Sequence, residues 1–168
     1  MKNLMKCALI ATLLTTSSVA SAQWTVGGGY ANYSDDDDGL DLSLGGVYGS
    51  AGYVYENSQI SFIPEIRIGV GVADDTVSGV NVEIDSFLAL SLRGQYEVTK
   101  DFSVFLQPSY GRLELTANFN GQSVSDDEWE FGFGGGAAFK VSDTTSIEAI
   151  YESFDGTDVL SLGFRLAL

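Results

Sequence analysis

Leu160-Ser161-Leu162-Gly163-Phe164-Arg165-Leu166-Ala167-Leu168 closes the chain, and every second residue of it is large and apolar. A period of two places Leu160, Leu162, Phe164, Leu166 and Leu168 on one face of a strand and Ser161, Gly163, Arg165 and Ala167 on the other. A strand of this kind ends either a soluble sheet or a membrane barrel, and the rest of the chain decides for the membrane.

The first residues set the compartment. Met1 to Lys6 is short and basic, Cys7 to Leu14 is a short apolar run, and Thr15 to Ala22 is small and polar, ending Ala20-Ser21-Ala22. This order predicts a secretory signal peptide over residues 1–22, with the mature domain beginning at Gln23 and running to Leu168. The apolar run is too short to cross a bilayer as a helix, which favours cleavage over anchoring. Cys7, the single cysteine, falls within the signal, so the exported domain is held together without a disulfide.

The 146 residues after Ala22 suffice for one domain. Removing Lys2 and Lys6 from the 8 basic residues leaves 6 against 23 acidic ones, a net charge of −17. Nucleic acid, a polyanion, is excluded as a partner on that ground. Strong acidity with low hydrophobicity would mean disorder, but 45% of the residues are hydrophobic and 12% aromatic, so the chain folds.

Eight alternating segments follow the signal. The first, near Gln23 to Tyr33, carries Trp24, Val26 and Tyr30 on one face. The second sets Leu40, Leu42, Leu44 and Tyr48 against Asp41, Ser43 and Gly45, and the third sets Ile60, Phe62, Ile66, Ile68, Val70 and Val72 against Ser61, Glu65, Arg67, Gly69 and Gly71. In the fourth, Val80, Val82, Ile84, Leu88, Leu90, Leu92, Tyr96 and Val98 oppose Glu83, Asp85, Ser91, Arg93 and Gln95. The fifth begins Phe102, Val104, Leu106, Tyr110 and then shifts toward Leu113 and Leu115, which predicts a bulge near Gly111. The sixth alternates Trp129, Phe131, Phe133, Ala137, Phe139 and Val141 with Glu130, Gly132, Gly134, Gly136 and Lys140. The seventh, Thr145 to Phe154, is the least regular, and the eighth is the closing strand.

The connections come in two kinds. Glu56–Ser58, Thr99–Asp101 and Ser142–Thr144 read as tight turns, whereas Ser34–Gly39, Asp74–Gly79, Asn118–Asp127 and Asp155–Asp158 read as acidic and mostly longer loops. Short turns at one end and longer loops at the other predict an all-β, eight-stranded antiparallel up-and-down transmembrane β-barrel, with both termini and the short turns in the periplasm. Exported lipocalin-type carriers also have eight strands, but they turn a polar face to water. Here that face is largely Gly, Ser and Ala, as at Gly132, Gly134, Gly136 and Ala138, which fits a crowded lumen better than a solvated surface. Aromatic residues collect toward the segment ends, with Trp24, Tyr96, Phe102 and Phe139 near the turns and Tyr110, Trp129 and Tyr151 toward the loops, as interfacial girdles do.

With its Ala20-Ser21-Ala22 signal end, the glycine-rich Leu44 to Tyr53 region, Ile68-Gly-Val-Gly-Val-Ala73 and the closing strand, the chain resembles the small eight-stranded outer membrane proteins of Gram-negative bacteria that include the OmpA transmembrane domain and OmpX. The resemblance implies a monomer in the outer membrane, in contact with lipid and lipopolysaccharide, and inserted by the outer membrane machinery through the C-terminal strand. That strand usually ends in an aromatic in the family. Here the last residue is Leu168 and the nearest aromatic is Phe164.

No histidine occurs anywhere and no cysteine follows the signal, so Ser-His and Cys-His nucleophiles and the commonest zinc ligands are missing. The barrel enzymes that deacylate or palmitoylate lipid A are similar in size and rely on a histidine, which points away from catalysis and from any cofactor. The charges on the small-residue face form the better candidate site: Glu65, Arg67, Glu83, Asp85, Arg93, Glu148, Glu152 and Arg165 are predicted to share a narrow lumen, Glu65 near Arg93 and Glu148 near Arg165. They fit two roles, a packed salt-bridge network or a narrow path for small ions; an eight-stranded barrel has room only for its own side chains, so any conductance is small. A second candidate is the acidic rim of Asp35, Asp36, Asp37, Asp38, Asp74, Asp75, Asp126 and Asp127. It reads either as solvated loop tips or as a contact for divalent cations and lipopolysaccharide, without the spacing of a dedicated metal loop.

Overall fold

Lipid offers no partner to a backbone amide, so a chain that crosses it in strands must pair every strand on both sides. The computed structural model, which describes residues 24–35, 42–77, 80–119 and 122–168, meets that demand. It contains strands β1 (Trp24–Asp35), β2 (Leu42–Tyr53, continued by Tyr55–Asn57), β3 (Ile60–Ala73, continued by Asp75–Val77), β4 (Val80–Thr99), β5 (Phe102–Phe119), β6 (Gln122–Lys140), β7 (Thr145–Phe154) and β8 (Thr157–Ala167), and no helix among the described residues. Each strand pairs antiparallel with its sequence neighbours, and β8 returns to β1 in register from Thr25↔Ala167 to Asp35↔Thr157. The result is the predicted closed, eight-stranded up-and-down barrel. Residues 1–23 and Asp36, Asp37 and Asp38 lie outside the described residues.

Alternation sorts the side chains as lipid requires. Ile66, Ile68, Leu90, Leu92, Leu106, Phe133, Ile147, Leu160, Leu162 and Phe164 are all exposed on the outer wall, a continuous apolar belt that water would not tolerate. Trp24, Tyr55, Tyr96 and Phe139 project near the turn end, and Tyr110, Trp129 and Tyr151 toward the other. Tyr110 and Trp129 stack with centroids 5.0 Å apart. The inner wall is narrow enough to need glycine: a Cβ on Gly132 would run into the Phe154 ring, and one on Gly134 into the Tyr151 carbonyl and Glu152.

Four expectations about the strands need correction. In β2 the phase is opposite to the one read from Leu40 to Tyr48. Leu44 is buried inside the barrel and Tyr48 packs against the same interior cluster, while Val47 faces out. In β4 a register shift between Ile84 and Ser86 reverses the phase, so Val82 and Ile84 face inward above it while Leu88, Leu90 and Leu92 face outward below it. No bulge occurs at Gly111. β5 pairs with β6 without a break, and Leu113 and Leu115 point into the barrel. Finally, the acidic stretches Asp74–Gly79 and Asn118–Asp127 are mostly strand: Asp75–Val77 pairs with Val80–Val82, and Gln122–Asp127 pairs with Glu114–Phe119. Asp155–Gly156 is a tight turn in which Gly156 takes a φ of 101°, open to glycine and strained for other residues.

The strands are unequal. β4, β5 and β6 have 20, 18 and 19 residues, against 10 and 11 in β7 and β8, so one side of the barrel rises as a sheet beyond the other.

The face assignment is open to test by equilibrium unfolding in bilayers. Leu90→Arg and Phe133→Arg each lose roughly 2 to 4 kcal/mol, because the charge enters hydrocarbon. Gly134→Ala, facing inward, loses about 1 to 3 kcal/mol by overpacking. Arginine variants as stable as the parent would show the faces to be reversed.

Candidate functional site

Because each strand contributes every second residue inward, six charged side chains from β3, β4, β7 and β8 converge within the barrel. Arg67 on β3 reaches across the lumen to Glu152 on β7, the diametrically opposite strand, in a two-pronged pair with both N···O distances at 2.6 Å. Arg93 on β4 donates from Nη1 to both carboxylate oxygens of Glu148 at 3.0 Å, and its Nε donates to Gln107 at 3.1 Å. Arg165 on β8 donates to Glu148 through Nε at 2.6 Å and to Thr25 at 3.0 Å, and forms an ion pair with Glu65. Glu65 also lies 3.7 Å from Arg67. Glu65, Arg67, Arg93, Glu148, Glu152 and Arg165 are all buried, with Arg93 at 0% exposure. Three guanidiniums and three carboxylates balance, which removes the cost of an isolated buried charge.

Neutral polar groups complete the set. Ser109 and Gln107 donate to Glu152 Oε1 at 2.7 and 3.1 Å, and Arg67 Nη2 reaches Ser91 and Ser109 at 3.3 Å. The Arg93 guanidinium sits 3.9 Å above the Phe105 ring, within cation–π range. Gln107, Ser109, Ser91, Thr25 and Phe105 escaped the sequence reading, which sought charges alone. Their signal was present all the same, since each occupies an inward position in the period-two phase of its strand.

The predicted network is therefore modified in membership and in pairing. Glu83 and Asp85 are not in the lumen: the register shift in β4 turns Glu83 to the exposed outer face, and Asp85 is exposed and accepts a hydrogen bond from Thr116. The Glu65–Arg93 pair does not form, because the register puts Arg93 opposite Ile63 and Glu65 opposite Ser91; Glu65 turns to Arg165 and Arg67, and Arg93 to Glu148. Glu148 and Arg165 are paired.

Between this ionic layer and the long-strand end lies an apolar layer. Ala31, Tyr33, Leu44, Ile84, Phe87, Ala89, Phe154 and Val159 pack together, joined by Tyr48, Val82, Leu113 and Leu115. Tyr33 and Phe87 meet edge-on at 5.8 Å. A gap of about 20 Å³ beside them has room for one water. At the turn end, a cavity of about 130 Å³ lined by Thr25, Ile63, Gln95 and Glu97 reaches up to Arg165.

The acidic rim is spread around the barrel. Asp74 accepts from Asn81, which holds its carboxyl below the ordinary range, and Asp75 accepts from the Ser43 amide at 3.0 Å. On the β5–β6 hairpin, Asp126 accepts from the Asp127 amide at 3.0 Å and Asp127 pairs with Arg112 at 2.7 Å. Asp35 ends β1. Among the described residues no three acidic, histidine or cysteine groups converge as a metal ion would require.

Comparison with known proteins agrees with this architecture. The outer membrane protein beta-barrel domain family matches residues 7–164. No curated protein matches the sequence. Among solved structures, the chain is similar to Ail, the attachment invasion locus protein of Yersinia pestis, solved with the heparin analogue sucrose octasulfate (18% identity, TM-score 0.66, 88% of this chain and 99% of that one). It is similar also to Neisserial surface protein A (12% identity, TM-score 0.65, 88% and 98%) and to the N-terminal β-barrel domain of Pseudomonas aeruginosa OprF (12% identity, TM-score 0.60, 88% and 100%). At these identities the likeness is one of fold. With an apolar outer belt, a closed ring of eight strands and a family match over almost its whole length, the chain belongs to the outer membrane protein beta-barrel domain family and resides in the outer membrane.

Proposed function

We infer that this barrel is a non-catalytic, monomeric outer membrane protein that conducts little or nothing and acts through its long-strand end at the cell surface. The observation that carries the reading is the filled interior. A balanced ionic layer and an apolar layer lie in series along the axis, and a hydrophobic constriction resists wetting and so resists ion passage. The absence of histidine and of a cysteine beyond the signal leaves the familiar nucleophiles and lipid A chemistry without their residues. Both termini and the short turns face the periplasm in this reading, lipopolysaccharide surrounds the outer half, and the C-terminal strand is the handle for the insertion machinery. Ail was solved with a heparin analogue, but a net charge of −17 on the exported chain and carboxylates on the rim disfavour a polyanion here.

A narrow channel is the second reading, favoured by the turn-end cavity that reaches Arg165. Planar-bilayer recordings separate the two. The parent is expected to give no steady current, and Phe87→Ala with Phe154→Ala, which hollows the apolar layer, to raise conductance. Steady conductance in the parent, abolished by changes at Arg165, would favour the channel.

Orientation is checked by surface labelling. A tag inserted at Asp36 or Ser123 reacts with antibody on intact cells, and a tag at Asn57 or Asp143 does not. Labelling of the second pair alone inverts the topology.

The ionic layer as a structural core makes a third prediction. Arg67→Ala and Glu152→Ala each lose about 3 to 5 kcal/mol because each strands a buried charge. The double change is milder than the two singles added. A double-mutant cycle on Glu65 and Arg93, which do not pair, shows weaker coupling. Additivity at Arg67 and Glu152 would remove them from any shared network.

A further inference from the structure

At the turn end of the strands, inward positions enclose the cavity of about 130 Å³ that stops at the ionic layer. Thr25 on β1 and Arg165 on β8 set its floor, at 4% and 8% exposure. Of the six charges of the ionic layer, Arg165 alone lines the cavity. Glu148 and Glu65, which hold its guanidinium from deeper in the barrel, do not. The layer therefore turns its positive edge toward the open space. Arg165 Nη1 carries two N–H groups and donates to Thr25 at 3.0 Å; among the described residues the second N–H has no acceptor. A buried donor left in this state is costly, so the floor favours an anionic group above it.

The rim has the opposite sign. Glu97 is neutralised by Lys140 at 3.1 Å, but Glu56 and Asp143, which also line the cavity, have no ion-pair partner among the described residues. Between floor and rim one wall is apolar, made by Ile63 on β3 and by Val54, two residues before Glu56 along the chain. That spacing places Val54 and Glu56 on the same side of an extended chain, about 7 Å apart. Ser146 stands opposite Arg165 in the register and adds a hydroxyl to the far wall. A cavity of roughly 150 Å³ holds a molecule the size of benzene, so the space suits a ligand of about six heavy atoms.

We propose that the turn-end cavity is a binding site for a small apolar α-amino acid, held as the zwitterion with its carboxylate on Arg165, its side chain against Val54 and Ile63, and its ammonium at Glu56. Each simpler occupant fits only part of this lining. An anion without a cationic end meets the rim carboxylates and gains nothing from them. A cation without a carboxylate leaves the Arg165 donor unmet. Water satisfies the donor and gains nothing from the apolar wall. A few placed polar groups beside an apolar wall, with charges of both signs a short distance apart, is how a site fixes the orientation of a small ligand. The proposal goes beyond the surface-acting reading and draws on it only for the compartment, there the periplasm, from which the amino acid comes.

The test titrates L-alanine into the folded chain in uncharged detergent micelles and follows the backbone amide resonances. Thr25, Gln95, Ser146 and Arg165 are expected to shift along one saturable curve. Propionate is alanine without its ammonium, and ethylamine is alanine without its carboxylate. Each is expected to bind about tenfold more weakly or worse, the scale of one lost charge-assisted hydrogen bond. Glu56→Gln, at an exposed position outside the ionic layer, lowers alanine affinity by a similar factor and leaves propionate binding unchanged. Propionate or ethylamine binding as tightly as alanine overturns the proposal, and so does the absence of saturable shifts at these amides; neither result needs a variant to fold. Alanine binding untouched by Glu56→Gln overturns it as well. Binding in micelles does not depend on which side of the membrane the cavity faces, so failure here leaves the surface-acting reading standing, and surface labelling tests that reading separately.

Discussion

The return of β8 to β1 is the constraint on which everything else depends. Eleven residue pairs from Thr25↔Ala167 to Asp35↔Thr157 satisfy the two strands that would otherwise face hydrocarbon with bare backbone. Once the ring is closed at eight strands, the interior is only as wide as the side chains that fill it. Glycine then becomes necessary where Phe154 or Glu152 needs room, and each long inward side chain meets a partner from across the lumen. The alternation of Leu160 to Leu168 is thus one expression of two solvents, lipid outside and a crowded polar interior within.

Fold class and span number were legible because lipid punishes any departure from a period of two, so the pattern read in β3 and β8 matches the structure, whereas β7 was the least regular segment in the sequence. Strand ends were not. Beyond the bilayer, water accepts either face, and an acidic stretch such as Gln122–Asp127 looks the same as a loop or as a paired strand. Phase failed in three places for a different reason. Leu44 and Tyr48 in β2 and Leu113 and Leu115 in β5 are apolar residues in the interior, and the shift at Asp85 exchanges the faces of β4 between residues that are apolar on both sides of it. Of the eight charges assigned to the lumen, Glu83 and Asp85 were misplaced by that shift. The pairing of the remaining six depends on strand stagger and on reach across the barrel. Neither is written in the local sequence, which is why Arg93 was matched with Glu65 in place of Glu148.

The interior stacks two solutions to the same packing problem. An ionic layer is stable here because its charges balance and serines, Gln107 and Thr25 take up further hydrogen-bonding capacity. An apolar layer needs no partners but requires close contact, which Phe87, Tyr33 and Phe154 supply. Placing them in series separates the roles: polar contacts tie opposite walls together and the apolar layer packs the interior beside them. The raised β4–β6 sheet continues the apolar layer through Ile84, Leu113 and Leu115, and its β6 strand carries different chemistry, an acidic face and an aromatic one.

The span of the Arg67–Glu152 pair has a kinetic consequence. Its partners are 85 residues apart and on opposite walls, so the contact cannot exist until nearly the whole ring has assembled. Contacts of such long range form late, and interactions absent from a folding transition state act mainly to slow unfolding. Until the walls meet, the guanidinium of Arg67 has only Glu65, 3.7 Å away on its own strand, as an ionic partner, and the two-pronged bond to Glu152 is added last and holds the finished barrel against unfolding.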